Sequence, residues 1–418
     1  MDFFSITGGR RLSGKIRAES AKNAILPMMA CAVLTKEKVI IRNCPYIKDV
    51  LSMKEILEYM GAKVFFSGDG VIIDASDLKR FEVPSFLSKK LRSSIYMLGS
   101  VLAVNDKLKI SFPGGCDIGA RAFDIHLDGL KKLGVDVIEE EGCILCRREK
   151  IKGSEITLKY PSVGATENLI ICSTLCEGST VIKNCAKEPE ITDLIRFLKK
   201  MGAKIYGEGT GVIRIEGVKK LNGVEYTPIG DRIEAGTYIL ASLISGGEIE
   251  ISNVLPQNIC SLLNYFCNNT CKIRISNDII YIKKEESFSG LYVSTGPYPD
   301  FPTDLQPVIT AFCTVADGKS VIRENVFENR FLYAYELKKM GANIKIDNNV
   351  AYVSGEKKLY GANLYAKDLR GGAALIVASL TAEGESKIFG TEYIDRGYYN
   401  LTEKLSLLGA DVKRNYEN

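Results

Sequence analysis

Apolar and polar positions along this chain repeat in one phrase: Met60-Gly61-Ala62-Lys63-Val64, Leu133-Gly134-Val135-Asp136-Val137, Met201-Gly202-Ala203-Lys204-Ile205, Met340-Gly341-Ala342-Asn343-Ile344 and Leu408-Gly409-Ala410-Asp411-Val412. The gaps are roughly 70 residues, with one about twice as long, and the long gap holds a degenerate copy around Cys267 to Ile273. The pattern therefore predicts six repeated units. Each opens on a long apolar segment, such as Ala21 to Thr35 or Asp231 to Gly247. These segments are too long for ordinary strands and apolar nearly all round, which predicts buried helices. A β-branched stretch follows, then an amphipathic helix such as Ile191 to Met201, ended by the recurrent Gly. A hairpin closes the unit, as in Lys63 to Ala75 and Asn343 to Gly355. The Gly207 to Gly211 turn has the look of a phosphate loop but falls at a hairpin tip.

The last unit ends at Val412-Lys413 without a returning strand, while residues 2 to 7 (DFFSIT) are strand-like and unassigned. The N-terminal strand is expected to complete that unit. This gives one domain over 21–228 and a second of 1–20 plus 229–418. Each would hold three units, with helices inside and sheets around them. The fold class expected is α/β (α+β), a two-domain inside-out α/β barrel.

Composition narrows the function. The chain has 418 residues, 46% of them hydrophobic and 25% charged, with a net charge of +4. That charge is too weak and dispersed to argue for nucleic acid, and no Lys/Arg block exceeds two residues. The longest apolar run, Ala24 to Leu34, is too short to span a bilayer, so no membrane is implied. The N-terminus lacks the pattern of an export signal. Twelve cysteines are thinly spread, several within apolar runs, and Cys143 and Cys146 form a lone CxxC. With a single histidine, no metal site is expected. A reduced, cytoplasmic protein is the reading these features give, and nothing in them requires more than a monomer.

Polar residues cluster where the apolar segments begin: Lys22-Asn23, Arg92, Ser162 to Glu167, Asp231-Arg232-Glu234, Thr303-Asp304 and Arg370. Helix N-termini carry unpaired N–H groups and the positive end of the dipole. Six such ends directed at one cleft, with Arg121, Arg330 and Arg396 added, would attract phosphate and carboxylate together. Each residue alone fits an ordinary cap, as Ser162, Thr303 or Asp304 would. Their shared period is what favours a site. The stretch Phe112 to His126 (FPGGCDIGARAFDIH) puts Cys116 in a Gly-rich segment five residues before Arg121. A guanidinium favours the thiolate, making Cys116 the best candidate for a reactive residue. His126 reads as structural or ligand-orienting.

With SAKNAILP at Ser20 to Pro27, PGGCDIGAR at Pro113 to Arg121, YPSVGATEN at Tyr160 to Asn168, DRIEAGTY at Asp231 to Tyr238, YPDFPTDLQ at Tyr298 to Gln306, VFENRF at Val326 to Phe331, DLRGGAAL at Asp368 to Leu375 and IDRGY at Ile394 to Tyr398, the chain resembles the enolpyruvyl transferases over its whole length. Ser20 and Ala122 depart from the family's usual Gly and Pro. The resemblance implies transfer of the enolpyruvyl group of phosphoenolpyruvate to the 3′-hydroxyl of UDP-N-acetylglucosamine, through a tetrahedral ketal and with no cofactor. It implies Cys116, Asp304 and Lys22 as catalytic residues, Cys116 as acid and Asp304 as base. It implies Lys22, Asn23, Arg121, Arg330, Arg370 and Arg396 around phosphoenolpyruvate. For the UDP-sugar it implies Asn23, Arg92, Arg121, Ala122, Phe123, Asp124, Ile125, Tyr160, Pro161, Ser162, Val163, Gly164, Asp304 and Val326. Two alternatives stay open: transfer to shikimate 3-phosphate, and a catalytically silent UDP-sugar sensor.

Overall fold

The computed structural model describes residues 2–114, 123–267 and 270–416. Cys116, Arg121 and Ala122 lie outside the described residues. The chain divides into two compact units, with boundaries at Glu19/Ser20 and Ile229/Gly230. One unit holds the described residues up to Glu19 and from Gly230 onward, and the other holds the described residues between Ser20 and Ile229.

The described residues form six four-stranded sheets, three in each unit. Every sheet has one parallel pair and two antiparallel pairs. In the sheet Glu155–Thr157, Ser179–Lys183, Val212–Glu216, Lys204–Tyr206, the first pair is parallel and the others antiparallel. The strand Asp2–Thr7 takes the returning-strand position of the last sheet, antiparallel to both Glu385–Phe389 and Asp411–Tyr416. A strand from the far end of the sequence thus supplies what the last repeat lacks.

The apolar segments are helices, and they are buried on every side. All of Arg232–Ile244 and Leu369–Ser379 is buried, as is Val163–Ser173 beyond its first two residues. A helix apolar all round has no face to give to water, so it lies inside with the sheets around it. Phe266, Phe288 and Phe312 pack edge to face between 4.9 and 5.5 Å in the core of the first unit. The outer helix Pro189–Lys200 shows the opposite pattern, with Ile191, Leu194, Ile195 and Leu198 buried and Lys199-Lys200 in its last turn.

Two recurrent residues punctuate the units. In the five units that carry the repeated phrase its glycine ends the outer helix at positive φ, +114° at Gly61, a region where a side chain is strained. Asparagine follows the central strand: Asn184 Nδ2 donates to Leu158 O and Asn253 Nδ2 to Ala18 O, both with positive φ. Each asparagine ties down the end of the neighbouring parallel strand at a turn it is suited to make.

Candidate functional site

In the unit that includes the C-terminal half, Asp304 stands two residues before the helix Gln306–Cys313 and does not cap it. Its carboxylate is engaged elsewhere, and this corrects the expectation of a helix-start residue. Arg330 Nη2 donates to Asp304 Oδ1 at 3.1 Å, and Arg370 donates to Oδ2 from Nε at 3.2 Å and Nη2 at 3.0 Å. Arg330 and Arg370 are 3% and 4% exposed, so these cations are largely desolvated. Burial works against the Arg370 charge, but Asp304 leads the opposing contributions and its pKa is raised overall. Arg330 Nε is buried with no hydrogen-bond partner among the described residues. A guanidinium N–H left in that state is a donor available to an anion.

Buried groups that sequence reasoning did not single out fix this arrangement. Asp368 caps the helix Leu369–Ser379 by accepting from Arg370 N and Gly371 N, which sets the backbone that carries Arg370. The Tyr398 hydroxyl accepts from Arg370 Nη1 at 3.4 Å and shares a hydrogen bond with Thr237 Oγ1 at 2.9 Å. Glu324, 1% exposed, accepts from the hydroxyls of Thr295 and Thr303 and from the N–H groups of Val326 and Phe327. One carboxylate therefore holds both the segment leading to Asp304 and the loop at Val326. Arg396 lies half-buried just after the short helix Thr391–Ile394. Asp231 caps Arg232–Ile244 through Ile233 N and Glu234 N, and Arg232 stacks over the Tyr298 ring at 5.7 Å.

In the other unit Lys22 is the first residue of the helix Lys22–Cys31, with Asn23 beside it. Lys22 Nζ donates to Asp49 Oδ2 at 2.9 Å, and the two side chains are 12% and 4% exposed. Asp49 sits in the first turn of Lys48–Met60 and was not among the expected residues. Arg92 opens a 3-10 turn, Arg92–Ile95, rather than an α-helix, and its guanidinium lies 4.6 Å from the Phe123 ring centre. Asp124 and Ile125 begin the helix Asp124–Lys132. Tyr160 is 40% exposed, Pro161 follows it, and Ser162 caps Val163–Ser173 by accepting from Ala165 N at 3.3 Å. Val163 and Gly164 form the first turn of that helix, where the N–H groups are unpaired by the helix itself.

Each unit thus carries its own polar group. One presents two buried arginines around Asp304, and the other presents a buried Lys22–Asp49 pair, Arg92 and the N-terminus of Val163–Ser173. Cation-rich, largely desolvated arrangements of this kind bind carboxylate and phosphate. Among the described residues no cluster of three or more His, Cys, Asp or Glu is arranged to hold a metal ion.

Comparison with known proteins agrees with this chemistry. A family model described as EPSP synthase (3-phosphoshikimate 1-carboxyvinyltransferase) matches residues 6–405. UDP-N-acetylglucosamine 1-carboxyvinyltransferase 2 of Caldanaerobacter subterraneus subsp. tengcongensis is 48% identical, over 99% of this chain and 100% of the relative. UDP-N-acetylglucosamine 1-carboxyvinyltransferase 1 of Clostridium acetobutylicum is 44% identical, over 99% and 100%. Among solved structures, the enolpyruvyl transferase NikO from Streptomyces tendae superposes with a TM-score of 0.87 at 25% identity, over 99% of both chains. Six repeats of helix and sheet, matched from end to end by relatives of this identity, leave one conclusion: the chain belongs to the enolpyruvyl transferase family, alongside the UDP-N-acetylglucosamine 1-carboxyvinyltransferases.

Proposed function

We propose that the protein transfers the enolpyruvyl group of phosphoenolpyruvate to the 3′-hydroxyl of UDP-N-acetylglucosamine, releasing phosphate, as a step toward peptidoglycan. The observation that carries the reading is Asp304 between Arg330 and Arg370, in a chain 48% identical to a relative bearing that activity's name. A carboxylate on two buried arginines occupies the place an incoming carboxylate would take. When the phosphoenolpyruvate carboxylate engages Arg330 and Arg370, Asp304 gives up part of its pairing and becomes able to accept a proton.

The chemistry then follows in two steps, addition and elimination. The sugar oxygen bonds to C2 of phosphoenolpyruvate, its proton passes to Asp304, and the methylene carbon takes a proton from Cys116. The product is a tetrahedral ketal that still bears the phosphate. The Cys116 thiolate then takes back one methyl proton as phosphate leaves with the proton held by Asp304, which restores the double bond on the sugar and both side chains. Lys22, Arg121 and Arg396 hold the phosphate, and Arg330 and Arg370 the carboxylate, so negative charge is met by fixed cations throughout. Lys22 is kept in place for this by Asp49. Asn23, Arg92, Phe123 to Ile125, Tyr160 to Gly164 and Val326 contact the UDP-sugar.

Phosphate release from phosphoenolpyruvate tests the reading, with UDP-N-acetylglucosamine, with shikimate 3-phosphate and with no acceptor. Release with the UDP-sugar alone is expected. Release with shikimate 3-phosphate alone would overturn the acceptor assignment, and binding of the UDP-sugar without release would favour a sensor.

A further inference from the structure

The side chain of Asn168 is fully buried in the helix Val163–Ser173 and touches three other elements. Its Nδ2 donates to Ile95 O at 2.9 Å, and its Oδ1 accepts from Gly99 N at 2.7 Å. In an uninterrupted α-helix the N–H of residue 99 and the carbonyl of residue 95 pair with each other. The Asn168 carboxamide sits on both groups, at the junction where the 3-10 turn Arg92–Ile95 becomes the helix Tyr96–Val104. Gly99 makes room for it, since a Cβ there would lie 2.4 Å from Asn168 O and Oδ1. The preceding residue, Glu167, accepts from the Tyr96 hydroxyl, so two consecutive residues grip the same turn.

Those two backbone bonds also fix which end of the amide is which, because a carbonyl needs a donor and an N–H needs an acceptor. The second Nδ2 proton therefore points at His126 Nδ1, 2.9 Å away. His126 Nδ1 must accept, and the imidazole proton must sit on Nε2. Burial and then the Arg92 charge push the His126 pKa down to about 3, so the ring is neutral. The Nε2 side of the ring lies against Gly164, where an added Cβ would come within 3.3 Å of Nε2.

We infer that Asn168 is a positioning residue for the sugar nucleotide: one buried carboxamide sets Arg92 and, through His126, the helix that begins at Asp124, against the N-terminus of Val163–Ser173. This rests on the reading above that these elements take the UDP-sugar. Asn168 touches no substrate itself and acts through the turn and the imidazole it holds. Removing it lets the Arg92 turn and the His126 ring choose other geometries, and the charge contacts to a diphosphate loosen with them.

The test uses the full-length enzyme and UDP-N-acetylglucosamine. Calorimetry on Asn168→Ala should show the dissociation constant raised about tenfold or more, as expected for lost hydrogen bonds at a positioned site. The KM for phosphoenolpyruvate at saturating sugar nucleotide should stay within about twofold. His126 is the only histidine, so its ring nitrogens give an unambiguous 15N NMR signal. The wild type should show Nε2–H with Nδ1 bare, and Asn168→Asp, which removes both donors, should move the proton to Nδ1. Nδ1–H in the wild type would overturn the inference without recourse to a variant. Equal sugar-nucleotide affinity in a folded Asn168→Ala protein would remove this role alone. A wild type that does not bind the sugar nucleotide would remove the function proposed above, and this role with it.

Discussion

Arg370 places two guanidinium nitrogens on one oxygen of Asp304, at 3.2 and 3.0 Å, while 4% of its own surface remains exposed. The pair is separated by 66 residues in sequence and joins the starts of two successive repeats. Asp304→Ala should lower kcat by about 10² to 10⁴, the range of a lost general base. The KM for phosphoenolpyruvate should not rise, because both arginines lose an internal competitor for its carboxylate. Initial rates of phosphate release measure both quantities. A kcat within a few-fold of wild type would place the base elsewhere.

Tyr398 stands behind this pair, its hydroxyl between Arg370 Nη1 and Thr237 Oγ1. Tyr398→Phe keeps the packing and removes two hydrogen bonds, each worth about 1 kcal/mol. A fall of about fivefold in kcat/KM for phosphoenolpyruvate is expected, with little change in the KM for the sugar nucleotide. Equal losses for both substrates would assign Tyr398 to general stability.

Asp49→Ala takes away the carboxylate that Lys22 Nζ reaches at 2.9 Å. Lys22 is then no longer held at the start of its helix, and the KM for phosphoenolpyruvate should rise about tenfold. Asp49→Asn, which keeps a hydrogen-bond acceptor without the charge, should fall between the two. Steady-state kinetics on the pair of variants would show whether charge or geometry matters more.

Glu234 gives the fold a pH dependence. Burial pushes its carboxyl up to about 7, although Lys404 Nζ, 2.8 Å away, opposes the shift. Lys404 also pairs with Glu19, whose N–H donates to Glu234 Oε2, and Asp231 adds a further nearby negative charge. A carboxyl whose folded pKa exceeds its unfolded value of 4.5 binds more protons when folded. Its contribution is therefore complete below about 4.5 and declines as pH rises through about 7. Thermal unfolding across that window should show a shallower pH slope in Glu234→Gln than in wild type. Identical slopes would mean that Glu234 titrates alike in both states.

Thiol chemistry should be selective. Burial pushes Cys44, Cys146, Cys172, Cys185, Cys271 and Cys313 up to about 12, which keeps them protonated and unreactive. An epoxide phosphonate such as fosfomycin should therefore alkylate Cys116, and peptide mass spectrometry locates the adduct. Cys116→Ala should abolish turnover and keep sugar-nucleotide binding. An adduct on the exposed Cys260 or Cys267 would count against the role proposed for Cys116.

The repeat, the buried helices, the hairpins and the glycine ends of the outer helices were legible in the order of residues. They depend on spacing over a few turns, and the chain states spacing directly. The need of the last repeat for a strand was legible too, because DFFSIT had no other place, and Asp2–Thr7 fills it. Positively charged candidates were visible as polar residues interrupting apolar runs. Their partners were not. Asp49, Glu324, Asp368 and Tyr398 look like ordinary helix-end or strand-end residues, and Asp304 looks like a cap until two arginines, one from its own repeat and one from the next, claim it. Asn168 reads as one polar residue in an apolar helix, with nothing to say that it reaches Ile95, Gly99 and His126. Local sequence determined the elements because backbone geometry and hydrophobic period act between near neighbours. Tertiary structure decided which buried charge meets which, because desolvated polar groups must find partners wherever packing brings the chain together, at separations no local pattern encodes.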